Sequence, residues 1–215
     1  MILIGPPGAG KGTQASRIEA FLSVKSLSTG ALLRDAIALD NDLGRQAKVL
    51  VEGGNFVPDD VMIALVSQRI DQPDCAGGFI LDGFPRTLGQ AEALDRLLDE
   101  RGRKVDVVIE IKVAEDTVVE RIGGRFACKT CGEGYHKAYK LPKVEGVCDV
   151  CGGTEFEERA DDSDEKIRTR LALYHEQTAP ILPYYEKQGK LRSVDGNGDL
   201  DDVTERMKEV LAPVK

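Results

Sequence analysis

The chain has 215 residues, 41% of them hydrophobic and 31% charged, with a formal net charge of −8. That length suits one substantial core with small insertions, and the acidic balance opposes non-specific attraction to nucleic acid or anionic lipid, both polyanions. With only two histidines, His136 and His175, histidine-based acid–base or metal chemistry would be thinly staffed.

Taken in chain order, short apolar runs alternate with amphipathic stretches, the signature of a parallel sheet covered by helices. The opening MILI is too short to span a membrane and lacks a basic n-region, so it reads as a buried first strand over residues 1–5 and not a secretion signal. No other transmembrane stretch is present, and a cytoplasmic location is the default expectation. Further strands are expected at 78–81, 105–111 and 191–194, with a weaker one near 26–28. Helices are expected over 11–21, 30–38, 43–52, 58–70, 87–101, 115–123, 164–178 and 199–211. Pro58 suits a first helical turn, Asp164 and Asp199 suit N-terminal caps, and Pro180 and Pro183 should break or kink the chain beyond Thr178. Residues 28–57 read as two short helices inserted on the core. Residues 124–161 carry paired cysteines, glycines and few aliphatic side chains, so they need a source of stability other than a hydrophobic core.

Residues 5–13 read GPPGAGKGT directly after the first strand. Backbone N–H groups wrap a polyphosphate only where side chains are absent; Gly8, Gly10 and Gly12 allow that approach, Lys11 supplies a mobile positive charge, and the following helix adds its N-terminal dipole. Glycine-rich turns also join strands to helices for steric reasons alone, but the order strand, loop, lysine, helix favours a phosphate cradle. The general pattern wants Ser or Thr straight after the lysine, whereas here Gly12 intervenes before Thr13.

Cys128, Cys131, Cys148 and Cys151 spell C-x2-C-x16-C-x2-C. Two such pairs complete the tetrahedral thiolate shell that zinc prefers, and with all four positions filled by cysteine the metal should be structural. Paired disulfides or a redox-active C-x-x-C are the competing reading, disfavoured by the double spacing and a reducing cytoplasm. Zinc ribbons also serve nucleic-acid binding. Here Lys129, Lys137, Lys140 and Lys143 are offset by Glu133, Glu145, Asp149, Glu155, Glu157 and Glu158 without an aromatic-basic platform, which favours a zinc-stapled flap. Cys75 stands apart and reads as a small buried residue.

Ligands of open parallel sheets bind beyond the carboxyl ends of strands, which is where LDGFPRT, residues 81–87, would bring Asp82 and Arg86 beside the phosphate loop. A carboxylate there can hold Mg²⁺ through its waters, and an arginine can clamp phosphate oxygens. Arg34, Arg121, Arg125, Arg159 and Arg170 also fall at expected element ends, Arg170 on an inward-turning helix face.

GPPGAGKGT, STG at 28–30 with Arg34, LDGFPRT with Gln90, GGR at 123–125 and RADD at 159–162 together resemble the adenylate kinase family, in its long-lid bacterial form with a zinc-bearing lid. The resemblance runs over nearly the whole chain. It implies an α/β fold with a P-loop parallel sheet of about five strands flanked by helices. The core domain would comprise 1–27, 58–123 and 162–215, with a helical AMP-binding insertion at 28–57 and a zinc-binding lid at 124–161. It implies reversible Mg²⁺-dependent phosphoryl transfer from ATP to AMP giving two ADP, in adenine nucleotide homeostasis, by a monomer. Lys11, Asp82, Arg86, Arg121, Arg125, Arg159 and Arg170 would then be catalytic. Gly8, Ala9, Gly10, Lys11, Gly12, Thr13, Arg125, Gly134, Tyr135 and Gly198 would contact ATP. Thr29, Arg34, Asn55, Phe56, Val57, Gly83, Phe84, Pro85, Arg86, Gln90, Arg159 and Arg170 would line the AMP site, and Asp161 and Asp162 would pair with lid or core groups. Ala31 replaces the aspartate with which the family usually follows its STG, leaving Asp82 to order the magnesium hydration shell with less help. A kinase for UMP or CMP is the nearest rival reading.

Overall fold

A computed structural model describes residues 1–38, 45, 48, 57–158 and 162–214 of the chain. Five short strands form one parallel sheet: β1 (Ile2–Ile4), β2 (Lys25–Ser28), β3 (Phe79–Asp82), β4 (Val108–Lys112) and β8 (Leu191–Asp195), in the order β2-β3-β1-β4-β8. The register pairs Ile2 with Leu81 and Val108, Ser28 with Asp82, and Lys112 with Asp195. The three central strands, β1, β3 and β4, are near-continuous apolar runs because helices cover both faces of the sheet, whereas the edge strands β2 (KSLS) and β8 (LRSVD) carry mostly polar residues. On one face, Ile2, Ile4, Leu81 and Val108 pack with Met62, Val66 and Ile70 of α3 (Asp59–Ile70), Leu94 and Leu98 of α4 (Leu88–Asp99), and Ile181 and Tyr185 of α7 (Ile181–Lys187). On the other, Leu3, Ile80, Ile109, Ile111 and Val194 pack with Ala15 and Ile18 of α1 (Lys11–Leu22) and Val203, Met207 and Leu211 of α8 (Leu200–Leu211).

Strand β2 runs directly into α2 (Thr29–Ala38). The helix expected over 43–52 lies outside the described residues, apart from Arg45 and Lys48. Pro58 does not enter the helix; it precedes α3, extended at φ −49° and ψ 142°. Asp199 caps α8, its carboxylate accepting from the N–H groups of Asp201 and Asp202 at 2.9 and 3.0 Å. Asp164 instead starts α6 (Asp164–Leu173) with Ser163 at the cap position. The helix expected to reach Thr178 remains α-helical only to Leu173 and passes into a π-helical turn, Tyr174–Thr178. Pro180 is the physical reason: it cannot donate to the carbonyl four residues back, and the Ala179 N–H bonds Tyr174 O, five residues back, at 2.8 Å. Helix α7 then restarts after Pro180, with Pro183 in its first turn, where no N–H partner is needed.

Three strands form where the sequence shows no strand pattern: β5 (Arg125–Cys128), β6 (Gly134–His136) and β7 (Phe156–Glu157), antiparallel in the order β6-β5-β7. This small sheet does have a core, contrary to expectation. Phe126, Tyr135 and Phe156 pack at 5.6 Å between each pair of ring centroids, beside Cys128 and Cys148. Its base is framed by α5 (Glu115–Gly123) and α6, whose Val118, Ile122, Ile167 and Leu171 form a separate buried cluster.

Gly8 binds the phosphate-cradle loop to that cluster. At φ +76° it is in the left-handed region, and a Cβ there would lie 2.9 Å from Ile122 Cγ1 and 3.0 Å from the Val118 carbonyl oxygen. Gly8→Ala is therefore expected to lower the unfolding free energy by about 1–3 kcal/mol, from backbone strain and overpacking together, measured by urea denaturation.

Candidate active site

Every strand of the large sheet points its carboxyl end at one region, so the segments after β1, β2, β3, β4 and β8 converge there. The first is the glycine loop, with Ala9 buried and Gly10 at φ +86° just before α1. Lys11 folds back over it, its Nζ donating to the carbonyls of Gly5 and Pro6 at 2.7 and 2.8 Å. Thr13, half-buried, follows on the first turn of α1. A Cβ on Gly12 would lie 3.3 Å from Asp82 Oδ2, so the carboxylate at the end of β3 borders the loop where other loops of this kind carry a hydroxyl. Burial lowers the Lys11 ammonium from its ordinary 10.5 to about 8; Arg86, Arg170 and Arg125 push it the same way, while Asp82 opposes them. Three arginines distant in sequence thus act on one lysine.

After β3, Gly83 turns at φ +82°, where a Cβ would meet Thr29 Oγ1 at 2.9 Å. The Thr29 hydroxyl donates to the Asp82 carbonyl at 3.1 Å, and Arg86 Nε donates to the Gly83 carbonyl at 2.8 Å. Gln90 is 2% exposed; its Oε1 accepts from the Arg86 N–H at 2.7 Å and its Nε2 donates to Asp59 Oδ1 at 2.6 Å. Asp59 also accepts from the Thr87 hydroxyl at 2.7 Å, and the Thr178 hydroxyl donates to the Arg86 carbonyl at 2.9 Å. Sequence reasoning missed Asp59 and Thr178; a carboxylate opening a helix reads only as a complement to its dipole. Phe84 and Val57 are buried in the main core, so only their backbones can line a site, and the peptide from Phe84 to Pro85 is cis. Arg34 is exposed on α2, its Nη1 lying 3.4 Å from where a Cβ on Gly30 would be. Asn55 and Phe56 lie outside the described residues, as do Arg159 and Asp161.

Asp162 gathers two of the arginines. Its carboxylate accepts from Arg125 Nε and Nη2 at 2.8 and 2.6 Å and from Arg170 Nη1 at 3.2 Å, with only 6% of its side chain exposed. Arg121 turns elsewhere, donating to the carbonyls of Gly196 and Gly198 at 3.1 and 3.3 Å, which unites it with the segment expected beside the donor nucleotide.

The four cysteines come together in the small sheet. Their sulfurs all lie within 4.8 Å of one another, with Cys128 to Cys151 and Cys131 to Cys148 each at 3.6 Å. A disulfide needs about 2.05 Å, whereas tetrahedral thiolates about 2.3 Å from one zinc stand roughly 3.8 Å apart. The sulfurs also receive donors suited to thiolates: the Gly153 N–H reaches Cys151 at 3.4 Å, and the Tyr135 hydroxyl reaches Cys148 at 3.4 Å. That hydroxyl is the leading cause drawing Cys148 down to about 6. Tyr135 is 2% exposed, so its side chain serves this cluster and cannot contact a nucleotide; Gly134 and the Tyr135 backbone on β6 remain.

Comparison with known proteins places the chain in a family. The family model described as adenylate kinase matches residues 3–190. The chain belongs to the adenylate kinase family. It is 49% identical over 211 residues to an adenylate kinase of Paramagnetospirillum magneticum, covering 98% of this chain and 97% of that protein. With the adenylate kinase of Rhizobium rhizogenes it shares 51% over 212 residues, covering 99% and 98%, and with that of Zymomonas mobilis 52% over 211 residues, covering 98% and 95%. As a member of the adenylate kinase family the chain is a nucleoside monophosphate kinase. Among the described residues, no helix is long and apolar enough to cross a membrane.

The lowered Lys11 value makes a prediction for this kinase. Anionic phosphates placed beside the ammonium favour its charged form, so between pH 8 and 10.5, where the free lysine is largely neutral, nucleotide binding should take up a proton. Calorimetry at pH 9 in buffers of different ionisation enthalpy is expected to show that uptake, and affinity should fall as pH rises through 8 in the parent and not in Lys11→Met.

Proposed function

We propose that this kinase transfers the terminal phosphoryl group of ATP to the phosphate of AMP, reversibly, giving two ADP. The observation that carries the reading is the convergence of Lys11, Arg86, Arg125 and Arg170 with Asp82 at the end of the parallel sheet. The acceptor phosphate is already an anion, so no general base is required, consistent with a site that employs neither histidine. The work left to the protein is alignment and charge neutralisation. Lys11 would leave the Gly5 and Pro6 carbonyls for the donor phosphates, and Arg125 and Arg170 would exchange Asp162 for phosphoryl oxygens. Arg86, fixed at its Nε by Gly83, would present its remaining donors to the acceptor phosphate. Mg²⁺ suits the donor set here, one carboxylate plus phosphate oxygens; when bound it supplies charge neutralisation across the donor phosphates, with Asp82 as the residue that would hold it through water.

Water competes as an acceptor, which gives the inserted segments their purpose. In our reading, 28–57 closes over AMP and 124–161 is a lid over ATP, bringing Arg125 and Arg159 to the phosphates. The remainder is the core domain. Thr29, Arg34, Gln90 and the backbones of 55–57 and 83–85 would line the acceptor side, and residues 8–13, Gly134, Tyr135 and Gly198 the donor side through main-chain groups. The metal at the cysteines would be zinc, stiffening the lid and taking no part in the chemistry, since no coordination position is left open. We expect a cytoplasmic monomer.

A coupled assay with MgATP and each of AMP, GMP, CMP and UMP tests the reading; AMP is expected to be the preferred acceptor, and preference for UMP or CMP would replace it. Lys11→Met should lower kcat by about 10²–10³-fold, the scale of removing one preorganised transition-state donor, without lowering Tm. Stripping the cysteine-bound metal should lower Tm yet leave single-turnover transfer at low temperature. Rapid reversible loss of transfer in a still folded apoprotein would instead mark that metal as catalytic.

A further inference from the structure

The segment after β8, residues 195–199, is gripped from two sides by guanidinium groups on different helices. Arg206 of α8 donates Nη1 to the carbonyls of Asp195 and Asn197 at 2.9 and 2.8 Å. Arg121 of α5 takes the alternate carbonyls, those of Gly196 and Gly198. The segment is no longer a strand, since Gly198 turns at φ +102° and the Asn197 N–H folds back on the Asp195 carboxylate, yet the two arginines take its carbonyls alternately along the chain.

The rest of the segment is equally fixed. The Gly196 N–H bonds the Lys112 carbonyl at 2.8 Å, and a Cβ at Gly196 would lie 2.5 Å from Ile111 Cγ2. Asp195 accepts from the backbone and side-chain nitrogens of Asn197 at 2.9 and 2.8 Å. Gln14 Nε2 donates to the Leu200 carbonyl at 3.0 Å, tying the start of α8 to the helix that carries the phosphate cradle. A Cβ at Gly5 would meet the Ile111 carbonyl at 2.7 Å, so the cradle and this segment flank the same end of β4.

A row of main-chain carbonyls accepts hydrogen bonds and donates none. Beside a purine it takes the exocyclic amino group of adenine and opposes the oxygen that guanine carries at that position. Arg121 is among the arginines expected to turn to the nucleotide, which frees the Gly196 and Gly198 carbonyls on the nucleotide side. We propose that Arg206 is a positioning residue for donor-base selection: by tying the Asp195 and Asn197 carbonyls it holds those of Gly196 and Gly198 toward the donor base. The inference rests on the ATP:AMP reading above.

The test is steady-state transfer to AMP from ATP and from GTP in the parent and in R206M, R206K and R192M. R206M is expected to raise KM for ATP about tenfold and to cut the ATP-over-GTP ratio of kcat/KM about tenfold, with kcat and KM for AMP within about twofold of the parent. R206K, which keeps a charged donor within reach of both carbonyls, should recover most of the ratio. R192M loses arginine bonds to the Gly189 and Leu191 carbonyls and should behave as the parent. An unchanged ATP-over-GTP ratio in folded R206M overturns the inference alone, as does an equal loss with both donors. Should R206M fail to fold, R206Q is expected to lower the same ratio, and an unchanged ratio there overturns it. A parent that transfers nothing from ATP to AMP overturns the functional reading and this inference together.

Discussion

The structure depends on keeping like charges together. Arg86, Arg125 and Arg170 come from separate stretches of chain and all act on Lys11 at the end of a parallel sheet. Mutual repulsion in a partly desolvated site is costly, and the fold meets it with fixed counterweights. Asp82 borders the lysine, Asp162 takes two arginines, and loop carbonyls take the ammonium. Each of these partners offers the oxygen acceptors that phosphate groups offer, so under the proposed function a nucleotide would replace them without leaving a buried cation bare. A site of that kind would be organised before its ligand arrives, which is where electrostatic catalysis gains its advantage.

The sheet explains why these residues can meet at all. In a parallel arrangement all carboxyl ends lie on one side, so Thr29, Gly83, Gly5 and Gly196 emerge along one rim of the sheet, in that order across it, although they are spread over nearly the whole chain. The side chains at that rim are in turn supported by buried polar contacts. Gln90 bridges the Arg86 backbone to Asp59, and Thr178 holds the Arg86 carbonyl from the π-helical turn. The distortion at Pro180 thus falls in a segment that touches Arg86, and a regular helix there would carry Thr178 along a different path.

The features that could be read from the chain are those with a local physical cause. The apolar runs at MILI, FILD and VIEIK form the covered central strands and GPPGAGKGT forms the turn leading from β1 into α1, because periodicity and missing side chains act within a few residues. The cysteine spacing likewise specified a four-sulfur cluster. The features that escaped have non-local causes. Strand β7 has two residues and exists only because β5 offers an edge. Tyr135 matched a nucleotide-contact position by resemblance, yet the cysteine cluster it helps to build claims its side chain. Arg206 reads as an ordinary charge on an amphipathic helix until the loop it grips is seen.

Net charge adds a final constraint on how such a protein finds its substrates. At −8 overall, the surface repels polyanions at long range, and that repulsion is screened beyond about 8–10 Å at ordinary ionic strength. Under the proposed function, a nucleotide would be drawn in at short range by the arginines grouped around Lys11. The number of phosphates, and so the charge, would separate a mono- from a triphosphate, but charge alone cannot tell adenine from guanine; the choice of base would fall to carbonyls, amides and hydroxyls, whose pattern of donors and acceptors a base can match.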